Sequence, residues 1–315
     1  MGATDPGGGL DLIGDIHGHA GALDRLLETL GYELRDGIPR HSSRTAVFLG
    51  DYIDRGPEIR RTVETVRSMV DRGDAIALMG NHEYNAIAWF TPRPDRPDVA
   101  CRRHTPIRQR LIAPTLDSFG DHLPQWLEWM RELPMWLESD RLRAVHAGWN
   151  DQAVALLGEL VRPTGGILVE PAMQATCRPG SVYFRAIEKT LKGEEIPLPP
   201  DMVMTDPEGS PRRHIRARWF ESPHGRTYRD YAMTGDDGFP DDLIPTEVIP
   251  TDFVPYGLDQ RPIFVGHYWM RGDHPGRLAP NVACLDWSVA NNGPLVAYRF
   301  DGEIEIDDDH FVAVR

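Results

Sequence analysis

The chain has 315 residues, 41% of them hydrophobic, and a formal net charge of −14 at pH 7. That length fits about two domains, or one α/β domain with insertions. No apolar run reaches the roughly eighteen residues a membrane span needs, and the acid excess opposes the phosphate neutralisation on which extended nucleic-acid binding rests.

Residues 1–8 are small and Gly-rich and read as a disordered tail, without the basic and apolar regions of a signal peptide. Leu10–Gly14 is a short apolar strand that empties into Asp15-Ile16-His17-Gly18. Leu23, Leu26, Leu27 and Leu30 then carry the spacing of an amphipathic helix over Ala20–Leu30. Thr45–Gly50 is a second buried strand, followed by Asp51-Tyr52-Ile53-Asp54-Arg55-Gly56. Pro57 is expected in the first turn of a helix running to about Val70. Ala75–Gly80 is a third strand, followed by Asn81-His82-Glu83 and a helix starting near His82. Asp15 and Asp51 are 36 positions apart, and Asp51 and Asn81 are 30 apart. A βα unit needs about 30 residues, so three parallel strands present these groups along one sheet edge, where α/β ligands bind.

Pro92, Pro94, Pro97 and Pro106 mark an insertion over about 91–110, and residues 115–137 read as a Trp-rich helix. Leu142–Val145 is a strand ending in His146-Ala147-Gly148. Ten prolines between 197 and 255 punctuate a second insertion, 163–260, read as a lid or elaboration on one domain spanning 9–315. Pro262–Val265 leads into Gly266-His267. Val282–Leu285, Pro294–Phe300 and Glu303–Ile306 are expected as antiparallel strands of a second sheet, the last two joined at Asp301-Gly302.

Cys101, Cys177 and Cys284 are far apart in sequence and form no C-x-x-C pair. They read as ordinary thiols of a reducing cytoplasm, and the chain as cytoplasmic. Two local segments are basic, Arg93–Arg110 and Arg212–Arg218. On an acidic chain they suit a compact anionic substrate, or else a solvated, ion-paired face.

Asp15, His17, Asp51, Asn81, His146 and His267 combine hard oxygen donors with imidazole nitrogen. Two divalent cations are expected, with manganese foremost and iron or zinc as alternatives. Asp51, on the middle motif, is the natural bridging carboxylate. Such a pair can hold a hydroxide for in-line attack on a phosphoryl group.

These blocks together resemble the calcineurin-like metallophosphoesterase superfamily. The strings Gly50–Gly56 and Gly80–Glu83 resemble its phosphoprotein phosphatase branch, which includes Ser/Thr phosphatases and bacterial diadenosine tetraphosphatases. The resemblance covers roughly 9–160 and 260–306. It implies an α/β fold, a β-sandwich flanked by helices (α/β/β/α). It also implies one cation on Asp15, His17 and Asp51, and a second on Asp51, Asn81, His146 and His267. His82 is expected as general acid, oriented by Asp54, with Arg55 forking the phosphate. Glu83 is a supporting carboxylate or an early-helix acid. A second phosphate arginine is usual in that branch. Arg218 is the first candidate because Trp219 and Phe220 follow it, ahead of Arg216 and Arg185. Many phosphodiesterase members end in Gly-His-x-His, whereas this chain has Trp269 at the last position, which favours the phosphatase branch. The expected activity is hydrolysis of phosphate monoesters, with phosphoserine and phosphothreonine among them. The alternative is a tetraphosphatase-like nucleotide hydrolase. The partner is then a phosphorylated small molecule, nucleotide or phosphopeptide.

Overall fold

The computed structural model describes residues 2–205, 211–234, 238–251, 253–272 and 274–315. Three βα units open the chain: β1 (Gly9–Ile13), α1 (Ala20–Thr29), β2 (Arg44–Phe48), α2 (Ile59–Asp71), β3 (Ala75–Ala77) and α3 (Asn81–Phe90). α2 begins later than Pro57, because Gly56 and Glu58 donate their backbone N–H groups to His17 and Gly18 carbonyls and keep this stretch in the exit loop. The first insertion ends at Thr105, whose hydroxyl caps α4 (Pro106–Phe119), with Pro106 in its first turn. The single helix expected over 115–137 is divided: Gly120, at φ 49°, turns the chain between α4 and α5 (Leu123–Glu132).

β4 (Trp136–Glu138), β5 (Arg143–Val145) and α6 (Asp151–Val161) come next, then α7 (Glu170–Thr176) and α8 (Val182–Lys192). The chain closes with β6 (Ile263–Val265), β7 (Val282–Cys284), β8 (Leu295–Phe300) and β9 (Phe311–Val314). One sheet has the order β9-β8-β1-β2-β3 and the other β7-β6-β5-β4. β1, β2 and β3 are parallel, with Ile13 opposite Phe48 and Phe48 opposite Ala77.

The C-terminal strands differ from expectation in two ways. β7 is parallel to β6 in the second sheet, while β8 runs antiparallel beside β1 in the first. Glu303–Ile306 is not a strand, because the Glu303 carboxylate accepts from Asp301 N–H and Tyr298 O–H and folds the segment into a turn. β9 pairs with β8 instead.

Side-chain alternation explains the layers. Leu10, Leu12 and Val47 on one sheet meet Leu142, Ala144 and Phe264 of the other, forming an apolar layer between them. Ile13 and Phe48 face outward and are covered by the apolar stripes of α1 and α2, including Leu23, Leu26 and Val63. The result is the expected α/β/β/α arrangement.

The second insertion opens with α7 and α8. Its later part holds paired segments Glu195–Pro197 with His214–Arg216 and Met204–Thr205 with Pro211–Arg212. Ile196, Ile215, Tyr228 and Tyr231 form a separate small core there. Pro207 lies outside the described residues. The start of the chain, for which composition predicts disorder, is tied to the second sheet: Ala3 N–H donates to Trp136 O at 2.7 Å and Asp5 pairs with Arg141 at 2.6 Å. Among the described residues no helix is long and apolar enough to cross a membrane.

Candidate metal centre and catalytic cavity

Five strand ends point at one place. Asp15 follows β1, Asp51 follows β2, Asn81 opens α3 just past β3, His146 follows β5 and His267 follows β6. The exit loops are laced together: Ile16 and His17 N–H both donate to Asp51 O, at 3.2 and 2.8 Å. His17, Asp51, Asp54, Arg55 and His267 all hold positive φ, between 45° and 73°. Left-handed backbone at several non-glycine residues is costly and clusters where a site over-determines the chain.

All six expected ligands are nearly or fully buried. Asp51 is central: its carboxylate lies 3.4 Å from His146 Nε2 and 3.6 Å from His17 Nε2. Asn81 Oδ1 lies 3.1 Å from His146 Nε2 and 2.6 Å from His267 Nδ1. Asp15 sits against the same cluster and accepts from His267 N–H at 3.1 Å. Among the described residues, Asp51, His146 and His267 form one group that can hold a metal ion, and His17, Asp51 and His82 another. His82 is thus geometrically eligible as a ligand.

The donor set fits divalent cations. His146 Nδ1 is 2.8 Å from Leu49 O, and His17 Nδ1 is 2.9 Å from Ile53 O. Each carbonyl accepts the Nδ1 proton and so turns Nε2 toward the Asp51 side of the cluster. That is the usual support given to a metal-binding imidazole. Burial, then the Arg55 cation, holds His17 well below its usual range, and burial, then Arg216, does the same for His267. Both are therefore neutral, the form in which an imidazole coordinates. Burial opposes charge on His146, but Asp51 outweighs it and pushes His146 up to about 10. Its Nε2 thus faces strongly negative potential, which favours a cation. Burial, then the Asp286 charge, raises the Asp15 carboxyl well above its usual range, while for Asp51 burial is overcome by His146 and its fellow imidazoles, which hold it well below.

Beside this cluster, His82 Nδ1 is 2.5 Å from Asp54 Oδ2, and Thr115 Oγ1 donates to the other Asp54 oxygen at 2.5 Å. His82 Nε2 faces Asp51 at 3.9 Å. Glu83 takes the supporting role: its carboxylate accepts the backbone N–H groups of Gly80, Asp51, Tyr52 and Ile53. Burial, then Asp51, pushes its pKa up to about 7. Arg55 Nη1 is 2.7 Å from His17 Nε2, and its guanidinium stacks 4.0 Å from the Trp269 ring.

These groups open into a cavity of about 630 Å³. Its walls take Arg102 and Arg108 from the first basic segment and Arg212, Arg213 and Arg216 from the second, with Trp269 and Phe239 among them. Arg218 is not there. Its guanidinium pairs with Glu221 at 2.8 Å and bonds Leu278 O, while Trp219 and Phe220 are buried in the core. The strand His214–Arg216 ends at residue 216, so residue 218 lies beyond its alternation and is drawn away from the cavity by Glu221 and the Leu278 carbonyl. Arg216 Nη1 donates to His267 O at 3.0 Å. Arg185 instead bonds Gly180 O at an exposed position.

Sequence reading missed Thr115 and Asp286. Asp286, buried, accepts from Trp269 N–H at 2.7 Å and Ser288 N–H at 3.0 Å. It stands just past β7, so its place at a strand exit was a usable signal. Thr115 sits mid-helix, and nothing in its neighbourhood in sequence marks it.

Residues 10–158 match the family described as calcineurin-like phosphoesterase. An asymmetrical bis(5'-nucleosyl)-tetraphosphatase of Geobacillus is 47% identical over 85 residues, 27% of this chain and 35% of that protein. A symmetrical bis(5'-nucleosyl)-tetraphosphatase of Acidovorax is 29% identical over 224 residues, 68% of this chain and 67% of that protein. The match thus spans about a third of the first relative's length. A protein serine/threonine phosphatase from Saccharomyces cerevisiae shares the fold at a TM-score of 0.51 and 11% identity, over 98% of this chain and 79% of its own. A protein-tyrosine phosphatase of a psychrophilic Shewanella does so at 0.50 and 17%, over 100% and 83%.

Proposed function

The chain carries a calcineurin-like metallophosphoesterase domain, and from that premise we propose that it hydrolyses phosphate esters or anhydrides, with a nucleoside polyphosphate as its preferred substrate. The observation that carries the substrate reading is the cavity wall. Arginines from two separate insertions line it together with residues of the metal cluster, more cationic groups than one phosphate monoester can use. A polyphosphate chain offers several anionic groups to match them, and the arginine fork suits each one. Trp269 and Phe239 in the same wall offer faces for a base. The tetraphosphatase names of the sequence relatives point the same way.

In this reading Asp15, His17 and Asp51 hold one cation, and Asp51, Asn81, His146 and His267 hold the other, manganese foremost and iron or zinc as alternatives. Bound there, divalent cations supply Lewis-acid polarisation of the phosphoryl oxygens. The chain's own groups do the rest. Arg55 and Arg216 orient the phosphoryl group, Arg216 taking the place first expected of Arg218. His82 donates its Nε2 proton to the departing oxygen. Asp54 keeps the His82 Nδ1 proton in place, and Thr115 holds Asp54. The buried floor limits bulk water around the reacting atoms.

The test is a comparison of a dinucleoside tetraphosphate, p-nitrophenyl phosphate and a phosphoserine peptide on metal-reconstituted protein. The tetraphosphate is expected to lead in kcat/KM by roughly tenfold or more. A lead for the phosphopeptide would make the protein a monoester phosphatase, and hydrolysis of none would remove the enzyme reading.

A further inference from the structure

Outside the metal cluster, the fold brings together two of the three cysteines that sequence separation keeps apart. Cys177 caps the C-terminal end of α7, and Cys101 lies in the segment that joins α3 to α4. Their thiols stand close enough to act on each other. The surroundings fix both. Tyr84, on α3, donates its hydroxyl to Thr176 Oγ1 at 3.0 Å and lies 3.4 Å from Cys177 Sγ. The Pro92 carbonyl accepts Gln174 Nε2 of α7 at 3.0 Å and lies 3.7 Å from Cys101 Sγ. Both cysteines are only partly buried, whereas Cys284 is fully buried.

We propose that Cys101 and Cys177 are a peroxide-responsive dithiol that closes to an intrachain disulfide beside the phosphate cavity. Cys177 is the attacking sulfur. The neighbouring Cys101 thiol holds the Cys177 thiol below its usual range against the opposing effect of burial. The Cys177 thiol, followed by burial, pushes Cys101 up in turn. The Cys177 thiolate attacks the O–O bond of a hydroperoxide. An S–O bond forms, the O–O bond breaks, and the departing oxygen takes a proton. The Cys101 sulfur then attacks the sulfenic sulfur, and its proton leaves with the hydroxyl as water. Two thiols lose two electrons and the peroxide gains them.

The bridge would staple the segment after α3 to the end of α7. Arg102, next to Cys101, lines the cavity and donates to Asn85 on α3, the helix that carries Asn81 and His82. Oxidation therefore acts on one of the cavity arginines.

Full-length protein treated with hydrogen peroxide, alkylated and mapped by mass spectrometry tests this without reference to activity. The expected product is one peptide pair linked through Cys101 and Cys177, lighter by two hydrogens, with Cys284 still reduced. In Cys101→Ser, dimedone should trap a sulfenic acid on Cys177. In Cys177→Ser, Cys101 should lose its peroxide sensitivity. Absence of the linked pair while both thiols stay alkylatable would overturn the proposal. So would oxidation of Cys101 in Cys177→Ser at the wild-type rate.

Discussion

At His82 the two ring nitrogens have different surroundings and therefore different tasks. Nδ1 is committed to Asp54 at 2.5 Å, and Nε2 is directed at the cluster around Asp51. A carboxylate on Nδ1 fixes the tautomer and the orientation of the ring. Loss of a positioned acid typically costs 10²–10⁴-fold. His82→Ala should therefore reduce turnover by roughly that factor, most strongly for poor leaving groups, with metal content unchanged by elemental analysis. Because His82 also lies within ligand distance of His17 and Asp51, the metal measurement decides between roles. A fall in bound metal would make it a ligand and leave the acid unassigned.

At the scale of elements, the site is a set of strand exits, and the close approach of those exits explains why glycine recurs in them. Gly50 holds φ 105°, and a Cβ there would sit 2.5 Å from the Gly80 backbone and 3.0 Å from His146 Nδ1. Gly50→Ala should cost about 1–3 kcal/mol in strain alone, read as a lowered denaturation midpoint. Because Gly80 adjoins Asn81, metal affinity should fall with it. An unchanged midpoint would show that the exits are looser than described. The strand exits were legible in the sequence for a physical reason. A buried parallel strand is an apolar run, and a ligand residue just after it stands out. Turns and insertions were less legible. Glu303–Ile306 has a strand-like pattern, but a single glutamate with two local donors outcompetes pairing. Arg218 beside two aromatics looked like a substrate contact, yet the strand ends at Arg216 and Arg218 is held outside the cavity by Glu221 and the Leu278 carbonyl, a contact 60 positions away that sequence does not reveal. Thr115 acts across 61 positions of sequence, a distance no local pattern reveals.

Over the whole molecule, charge is divided. A chain of net charge −14 concentrates arginines around one cavity. Such a field draws in a polyanion and weakens as salt shortens its range, about 10 Å at 0.1 M and about 3 Å at 1 M. The kcat/KM for a dinucleoside tetraphosphate should fall steeply between these salt concentrations, and much less for p-nitrophenyl phosphate. Equal salt dependence for both would mean that the outer arginines do not touch substrate. The two insertions whose composition looked irregular supply that wall, while the sandwich supplies the reacting centre. The composition of the basic segments was visible in the sequence, but their convergence on one cavity depends on long-range packing. The proposed pair of cations depends on a shared Asp51 carboxylate, and metal analysis of Asp51→Asn beside wild type tests it most directly. Reconstituted wild type should hold two divalent ions per chain, and the variant should lose both together. A variant that retains one ion at wild-type affinity would contradict the account.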